Sequence, residues 1–249
     1  MTGPDQGEVR NRILRTFSPA DYDLLRPHLS LRETPKGARL IDPDRPPPFG
    51  YFLESGLGSV IAELPSGQAV EIGLYGLDGF GGIPLILEAG HSPHRLEMQI
   101  GGWAYVVPAD VLASALQRSS TLRAVMLRYV QFFLLQAAQN CLSNALHPLE
   151  RRLARWLLMS HDRMPDDQVP LTQEHLAVML GATRTTVTRL LGLLVERGLL
   201  RTTRGSITIV ERGALERLAG DAYGLPEREY NRLIAPHFQS PGLKETVLN

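Results

Sequence analysis

A short run of arginines and threonines in the last third of the chain has the chemistry needed to bind nucleic acid. Its hydroxyl and guanidinium groups are those of Arg184, Thr185, Thr186, Thr188 and Arg189. A guanidinium group binds phosphates and can grip guanine with two hydrogen bonds, whereas hydroxyl groups bind phosphates or base edges. At the start of a helix lying in the major groove, such groups would contact DNA directly.

Two short helices are predicted to position this run. Thr172 is a candidate N-cap for a helix over QEHLAVML, and Gly181 ends that helix, where a left-handed backbone costs glycine least. Thr183 caps a second helix, which opens with the arginine and threonine run and ends at Gly198. Two helices joined by a short glycine turn are typical of a helix-turn-helix.

A hairpin is predicted directly after these helices. The segments LLRTT and ITIV flank Arg204-Gly205 and read as two short strands, the wing of a winged helix, which places Arg204 near a phosphate. Residues 147–217 carry 11 basic and 8 acidic groups, whereas residues 1–146 carry 12 and 14. The alternative is a plain structural subdomain, but the wing and the positive local charge favour DNA binding.

A long helix is predicted before the helix-turn-helix, because residues 119–146 contain neither glycine nor proline. One stripe along it follows the three-four spacing of a coiled-coil seam: Leu127, Val130, Leu134, Ala137, Cys141 and Asn144. A neighbouring stripe is expected to pack on the N-terminal domain: Val125, Tyr129, Phe132 and Phe133. We therefore expect a homodimer held by this seam, with an ordinary buried helix as the alternative.

The N-terminal half has the rhythm of a small antiparallel β domain. Short apolar runs between residues 30 and 108 are cut by glycine and proline turns about every ten residues, which is typical of a barrel or jelly roll. The predicted fold class is α+β. The predicted divisions are a β-barrel sensor domain, a dimerisation helix, a winged helix-turn-helix and a C-terminal tail: 1–118, 119–146, 147–218 and 219–249.

Composition excludes several classes of protein. A formal net charge of zero excludes a generally polybasic nucleic-acid coat. Cys141 is the only cysteine, which excludes intramolecular disulfides and any site needing several thiolates from one chain. The N-terminus lacks the apolar core of a signal peptide, and no apolar window is long enough to span a membrane, so we expect a cytoplasmic protein without a membrane partner.

At this point the order of motifs resembles that of the Crp/Fnr family of bacterial transcription regulators. The resemblance covers roughly residues 11–218 and rests on four strings: YFLESG, EIGLYGLDGFGG, ERRLARWLL and LTQEHLAVMLGATRTTVTRLL. It implies a cyclic-nucleotide-binding-like sensor, a homodimer formed by the long helix, and a winged helix that binds a palindromic site in double-stranded DNA. It also adds RNA polymerase as a candidate partner.

The recognition helix matches the family pattern unevenly. Well-known members resemble R-E-T-V-x-R, and Arg184, Thr186 and Arg189 match that string. The family's glutamate, which accepts a hydrogen bond from a cytosine amine, is replaced by Thr185. The resemblance therefore implies DNA binding with a different half-site preference.

The resemblance also implies a ligand pocket, but with several groups changed. Glu71 takes the place of the glutamate that contacts the ribose of cyclic AMP, while His91-Ser92 replaces the arginine-serine pair that binds the phosphate, with Arg95 nearby. Alanines at 137–138 replace two hydroxyl residues that face the adenine. We therefore expect no response to cyclic AMP. An iron–sulfur cluster needs more cysteines, and no histidine spacing favours heme, so no cofactor is predicted; another effector, or none, remains open.

Two rival functions belong to other classes. A ligand-binding or interaction module with a degenerate DNA-binding domain is the alternative, and Arg184, Arg189 and Arg204 argue against it. A metal-dependent enzyme on a cupin-like barrel needs a cluster of histidines and a carboxylate, but the barrel region offers only His91 and His94, on one loop. No catalytic residue and no metal site are therefore predicted.

Overall fold

The computed structural model describes residues 3–234. Its N-terminal part contains eight strands: β1 (Ser30–Thr34), β2 (Arg39–Ile41), β3 (Phe49–Leu53), β4 (Leu57–Glu63), β5 (Ala69–Tyr75), β6 (Phe80–Gly81), β7 (Arg95–Ile100) and β8 (Gly102–Pro108). Four short helices flank or interrupt them: α1 (Arg12–Thr16), α2 (Pro19–Leu25), α3 (Ile83–Ile86) and α4 (Ala109–Arg118).

The described strands of this part form two four-stranded antiparallel sheets. Their orders are β1-β8-β3-β6 and β2-β7-β4-β5, so strands that are distant in sequence are neighbours, as in a jelly roll. Large apolar side chains such as Leu53, Leu96 and Val106 are buried between the sheets. The predicted antiparallel β domain is therefore confirmed.

A long helix follows, α5 (Ser120–Leu146), capped by the Ser119 hydroxyl, which accepts a hydrogen bond from the amide of Leu122. Its boundaries match the helix predicted for residues 119–146. The stripe predicted to pack on the β domain is buried at all four positions: Val125, Tyr129, Phe132 and Phe133. Gly73 of β5 lies so close to the Phe133 ring that a β-carbon there would overlap it, which shows how tightly the helix sits on the sheet.

The C-terminal domain contains four helices and three strands among the described residues. They are α6 (Leu149–His161), β9 (Gln168–Val169), α7 (Gln173–Leu180), α8 (Arg184–Glu196), β10 (Leu200–Thr203), β11 (Ser206–Ile209) and α9 (Arg212–Ala219). The strands form one antiparallel sheet in the order β10-β11-β9. The predicted helices and the predicted hairpin are all present.

A last helix, α10 (Leu225–Leu233), returns to the long helix α5. Tyr230 packs edge-on against Phe132 with ring centroids 4.9 Å apart, and Ile234 is buried in the same cluster. Gln139 of α5 donates a hydrogen bond to the Asp221 carbonyl at 3.2 Å. Part of the predicted tail is therefore a helix packed on α5, whereas residues 235–249 of that tail lie outside the described residues.

Within residues 3–234, no single helix is long and apolar enough to cross a membrane; the pair α7–α8 reaches that length and apolarity only jointly and is bent by 108°. The same residues contain no group of three or more histidine, cysteine or acidic side chains that could hold a metal ion.

Candidate nucleic-acid interface

The local sequence sets the ends of the two helices that form this surface. The Thr172 hydroxyl accepts a hydrogen bond from the His175 amide, and the Thr183 hydroxyl accepts one from the Thr186 amide. Gly181, between the helices, has a φ of 59°, a left-handed conformation that glycine adopts without a side-chain penalty. The chain consequently turns by 108° from α7 into α8, the geometry of a helix-turn-helix.

The first turns of α8 present unpaired positive charge to solvent. Arg184, Thr185 and Arg189 are exposed. Among residues 3–234, neither arginine has an acidic partner. Arg184 is the first residue of the helix, where the backbone amides also point outward and the helix dipole is positive. These groups can therefore bind an anion from outside the chain.

Three threonines of the predicted DNA-binding set, Thr183, Thr186 and Thr188, already have hydrogen-bond partners in the protein. The Thr188 hydroxyl donates to Gln173 Oε1 at 2.6 Å, which ties α8 to the start of α7. The hydroxyl oxygens of Thr183 and Thr186 lie 2.8 Å apart. Contacts of these three threonines with DNA remain predictions. Gln173, which was not predicted from the sequence, becomes part of this surface through its hydrogen bond with Thr188.

The hairpin carries Arg204 on a two-residue loop. Thr203 pairs with Ser206 across the turn, and Gly205 has a φ of 82°. This positive φ suits a tight hairpin turn, in which glycine is favoured. Arg204 is exposed and has no acidic partner within residues 3–234. The wing therefore adds a further cation to the domain that carries α8.

Comparison with known families and structures identifies this architecture. Residues 151–218 match the family model for the Crp-like helix-turn-helix domain. FixK2 of Bradyrhizobium japonicum has a TM-score of 0.68 at 20% identity, covering 77% of this chain and 98% of its own. The c-di-GMP-responsive global regulator CLP of Xanthomonas campestris has a TM-score of 0.61 at 20% identity, covering 77% and 99%.

A CRP-family transcriptional regulator from Thermus thermophilus has a TM-score of 0.64 at 19% identity, covering 76% of this chain and 96% of its own. Comparison of the sequence with curated proteins found no match. The chain has the fold of a Crp/Fnr-type transcription regulator.

The Crp/Fnr-type fold contains a cavity of about 290 Å³ between its sheets and α5. His91, Ser92 and Arg95 of the predicted ligand pocket line it. The Arg95 guanidinium is already bound by two carboxylates, pairing with Glu63 and lying 3.2 Å from Glu97. The guanidinium that lies near the predicted phosphate-binding pair is therefore already neutralised by the protein's own carboxylates.

The prediction that Glu71 lines the ligand pocket is wrong. Glu71 lies on the opposite face of β5 and is buried against the DNA-binding domain, where its carboxylate accepts hydrogen bonds from Trp156 Nε1 at 3.0 Å and Ser59 Oγ at 2.6 Å. Burial raises the pKa of Glu71 to about 7, while the two hydrogen bonds act in the opposite direction.

A break in strand register accounts for that position. Val60 pairs with Gly73 but Ile61 pairs with Glu71, so one extra residue, Ile72, is inserted in β5. The bulge changes the strict alternation of side chains, and Ile72 rather than Glu71 lines the cavity. A β-bulge cannot be placed by matching strings of residues to a family pattern.

The contact between the two domains also contains a buried ion pair that the sequence analysis missed. Arg163, just after α6, places its Nε 3.0 Å from Asp78 Oδ1 and its terminal nitrogen 2.6 Å from Asp78 Oδ2. Both side chains are nearly inaccessible to solvent. Leu-Asp-Gly at 77–79 had only the signature of a turn, and no local signal links it to a residue 85 positions away.

Most of the predicted dimer seam is exposed in the single chain. Leu127 and Leu134 are 42% and 58% accessible, and Cys141 and Asn144 are also exposed, whereas Ala137 is half-buried. Val130 differs, because it is buried in the chain's own core beside Met126 and Tyr129. More of the helix surface packs on the β domain than the three-four pattern indicates. That pattern does not say which of two adjacent stripes faces the core.

Proposed function

We propose that this protein is a homodimeric regulator that recognises a palindromic site in double-stranded DNA and responds to an effector other than cyclic AMP. The observation that carries the proposal is the pair of unpaired, exposed arginines, Arg184 and Arg189, on the second helix of a Crp-like helix-turn-helix. Such groups bind phosphates and guanine edges. The proposal includes no catalytic activity, and it places the protein in the cytoplasm with its DNA.

The homodimer is supported by the exposed leucines of α5. Leu127 and Leu134 lie seven residues apart on one face, followed by Leu142 at 45% exposure and Leu146 at 74%. A second copy of the helix would remove this apolar stripe from water in a coiled coil. A contact with RNA polymerase remains a prediction, supported only by the resemblance to the family.

Lack of a cyclic AMP response is supported by the positions of the polar side chains. Glu71 faces the DNA-binding domain, and Arg95 is held by Glu63 and Glu97. A cyclic phosphate entering the cavity would meet no free guanidinium, and it would lie close to two carboxylates.

Binding selection from randomised double-stranded DNA tests the proposal. We expect a two-fold symmetric motif whose half-site centres are about one helical turn, roughly 10 base pairs, apart. Leu134→Glu, which puts like charges at the centre of the seam, should give monomers in sedimentation velocity and lose the symmetric motif. Arg118→Glu, an exposed change outside α5, is the control. Recovery of no motif from the wild-type protein would refute DNA recognition, and an unchanged dimer in Leu134→Glu would refute the seam.

A further inference from the structure

The cavity beside α5 is built from apolar side chains contributed by the β-strands and by the long helix. β-strands supply Ile41, Val60, Ile72 and Leu96, and α5 supplies Phe133 and Leu134. Its volume of about 290 Å³ is near the lower end of small-molecule sites, which span roughly 300–1,000 Å³. Cavities of about 150 Å³ lined by such side chains stay dry and bind benzene. A two-ring aromatic molecule would fit this space.

The mouth of the cavity is apolar as well. Leu87, at its edge, is 51% exposed, whereas Leu134, which also lines it, belongs to the proposed dimer seam. Leu87 contacts the cavity and remains in water, and it would lose exposed apolar surface if a hydrophobic molecule entered. This exposure therefore favours an apolar occupant over a hydrated one.

The polar groups around the cavity disfavour an anion. Arg95 belongs to a trio with Glu63 and Glu97, whose formal charge is −1. His91 lies 3.8 Å from Asp44, so a carboxylate already faces that ring too. An anionic ligand would have to compete with Glu63 and Glu97 for Arg95 and with Asp44 for the His91 ring, and the attraction between the existing partners would be lost.

One wall residue carries an unsatisfied polar group. Tyr75 lines the cavity and is almost completely buried, and its hydroxyl has no hydrogen-bond partner among the described residues. An unpaired buried hydroxyl destabilises the folded protein, and a hydrogen bond from a ligand would remove that cost. A ligand with a single hydrogen-bonding group is therefore compatible with the site, whereas a molecule with many polar groups would leave most of them unpaired.

We propose that the effector of this protein is a neutral, mainly apolar small molecule, with at most one hydrogen-bonding group, bound in the cavity between β5, β7 and α5. This deepens the proposed function, since it names the ligand class of the same sensor domain. Such a ligand would be recognised by its shape and by the removal of apolar surface from water, and not by its charge.

Two matched probes, 2-naphthol and 2-naphthoate, test the inference by isothermal titration calorimetry at pH 7. They share the same rings, but the first is neutral and the second is an anion. We expect 2-naphthol to bind at least 10-fold more tightly than 2-naphthoate, with cyclic AMP showing no saturable binding. Equal affinity for the two naphthalene probes, tighter binding of the anion, or micromolar binding of cyclic AMP would overturn the inference.

Filling the cavity locates the binding site. Ile72→Trp should weaken 2-naphthol binding at least 10-fold, because the larger side chain occupies the same space. Leu64→Trp, at an exposed position outside the cavity lining, adds the same group and should leave binding unchanged. Val60→Phe fills the cavity from β4 and serves if Ile72→Trp does not fold. Unchanged binding in a folded cavity-filling variant would overturn the proposed site.

DNA binding by the ligand-free wild-type protein is measured separately by gel shift. A protein that binds its selected DNA but neither naphthalene probe would refute only the ligand inference. A protein that binds 2-naphthol in the cavity but no DNA would refute only the regulator.

Discussion

Two groups of arginines on the DNA-binding domain differ in whether the protein itself neutralises them. Arg184, Arg189 and Arg204 are exposed and have no acidic partner among residues 3–234. Arg163 and Arg212, on the side facing the β domain and the C-terminal helix, are bound by carboxylates at 2.6–2.8 Å. The domain therefore has one surface with unpaired positive charge and another on which the arginines are paired with carboxylates of the protein itself.

The difference separates two roles within one small domain. Free guanidinium groups are suited to an anion outside the chain, such as the DNA backbone. The buried Arg163 pairs with Asp78 of the β domain, so its removal would leave a buried carboxylate without its cation, whereas Arg212 pairs with Asp162 and Glu216 of its own domain. Substitutions on the two surfaces should consequently change different properties, DNA binding on one and stability on the other.

The largest effect is expected from Arg163→Ala. The change leaves the Asp78 carboxylate buried without its cation, which should lower the free energy of unfolding by about 3–5 kcal/mol. Urea unfolding followed by tryptophan fluorescence measures it, because Trp156 lies in the same contact. Arg217→Ala, at an exposed position of α9, is the control. Equal midpoints for the two variants would show that the buried pair does not hold the domains together.

The second largest effect is expected in the pH dependence of the free energy of unfolding. Burial raises the pKa of Glu71 to about 7 from its ordinary value near 4.5. A carboxyl group with a raised pKa contributes stability that is fully present below about pH 4.5 and is lost as the pH rises through about 7, in total about 3 kcal/mol. Glu71→Gln should remove this loss, since an amide can keep both hydrogen bonds without becoming charged.

The measurement is the urea midpoint of wild type and Glu71→Gln between pH 5 and pH 8. We expect the difference between them to grow with pH in favour of the variant. Glu33→Gln, at an exposed position of β1, should run parallel to wild type. A constant difference across the range would mean that Glu71 does not titrate in the folded protein.

On the free surface, Arg189→Ala should remove a base preference. A guanidinium that grips guanine O6 and N7 contributes roughly 1–3 kcal/mol of discrimination. We expect binding selection to show loss of preference for one G·C pair in each half-site, with the thermal midpoint unchanged because Arg189 has no partner within residues 3–234. An unchanged sequence preference would assign Arg189 to the phosphates.

The smallest effect is expected from Arg204→Ala in the wing. A phosphate contact should weaken binding about equally for all sequences and lower the slope of log K against log salt by about one. Titrations of specific and random DNA at several salt concentrations measure that slope. A changed sequence preference would instead show that the wing contacts bases.

Signals within a few residues determined much of this structure. Thr172, Gly181 and Thr183 mark the ends of the two helices, and a hydroxyl cap or a left-handed glycine acts only on the adjacent backbone, so it can be identified in the sequence. The hairpin at Arg204-Gly205 and the long helix after Ser119 follow for the same reason. The order of these elements along the chain then led to the resemblance to a family.

Only the tertiary structure decided which residues meet across the chain. Val130 satisfies the spacing of the seam but packs in the core, and Glu71 satisfies the position of a ligand residue but faces Trp156. Asp78 and Arg163 gave no sign of pairing, since neither lies in a motif that refers to the other. Periodicity indicates that a residue lies on a face, whereas the bulge in β5 and the packing of α5 on the sheet decide what that face contacts. Both are outcomes of packing between distant segments, so they first become visible in the folded molecule.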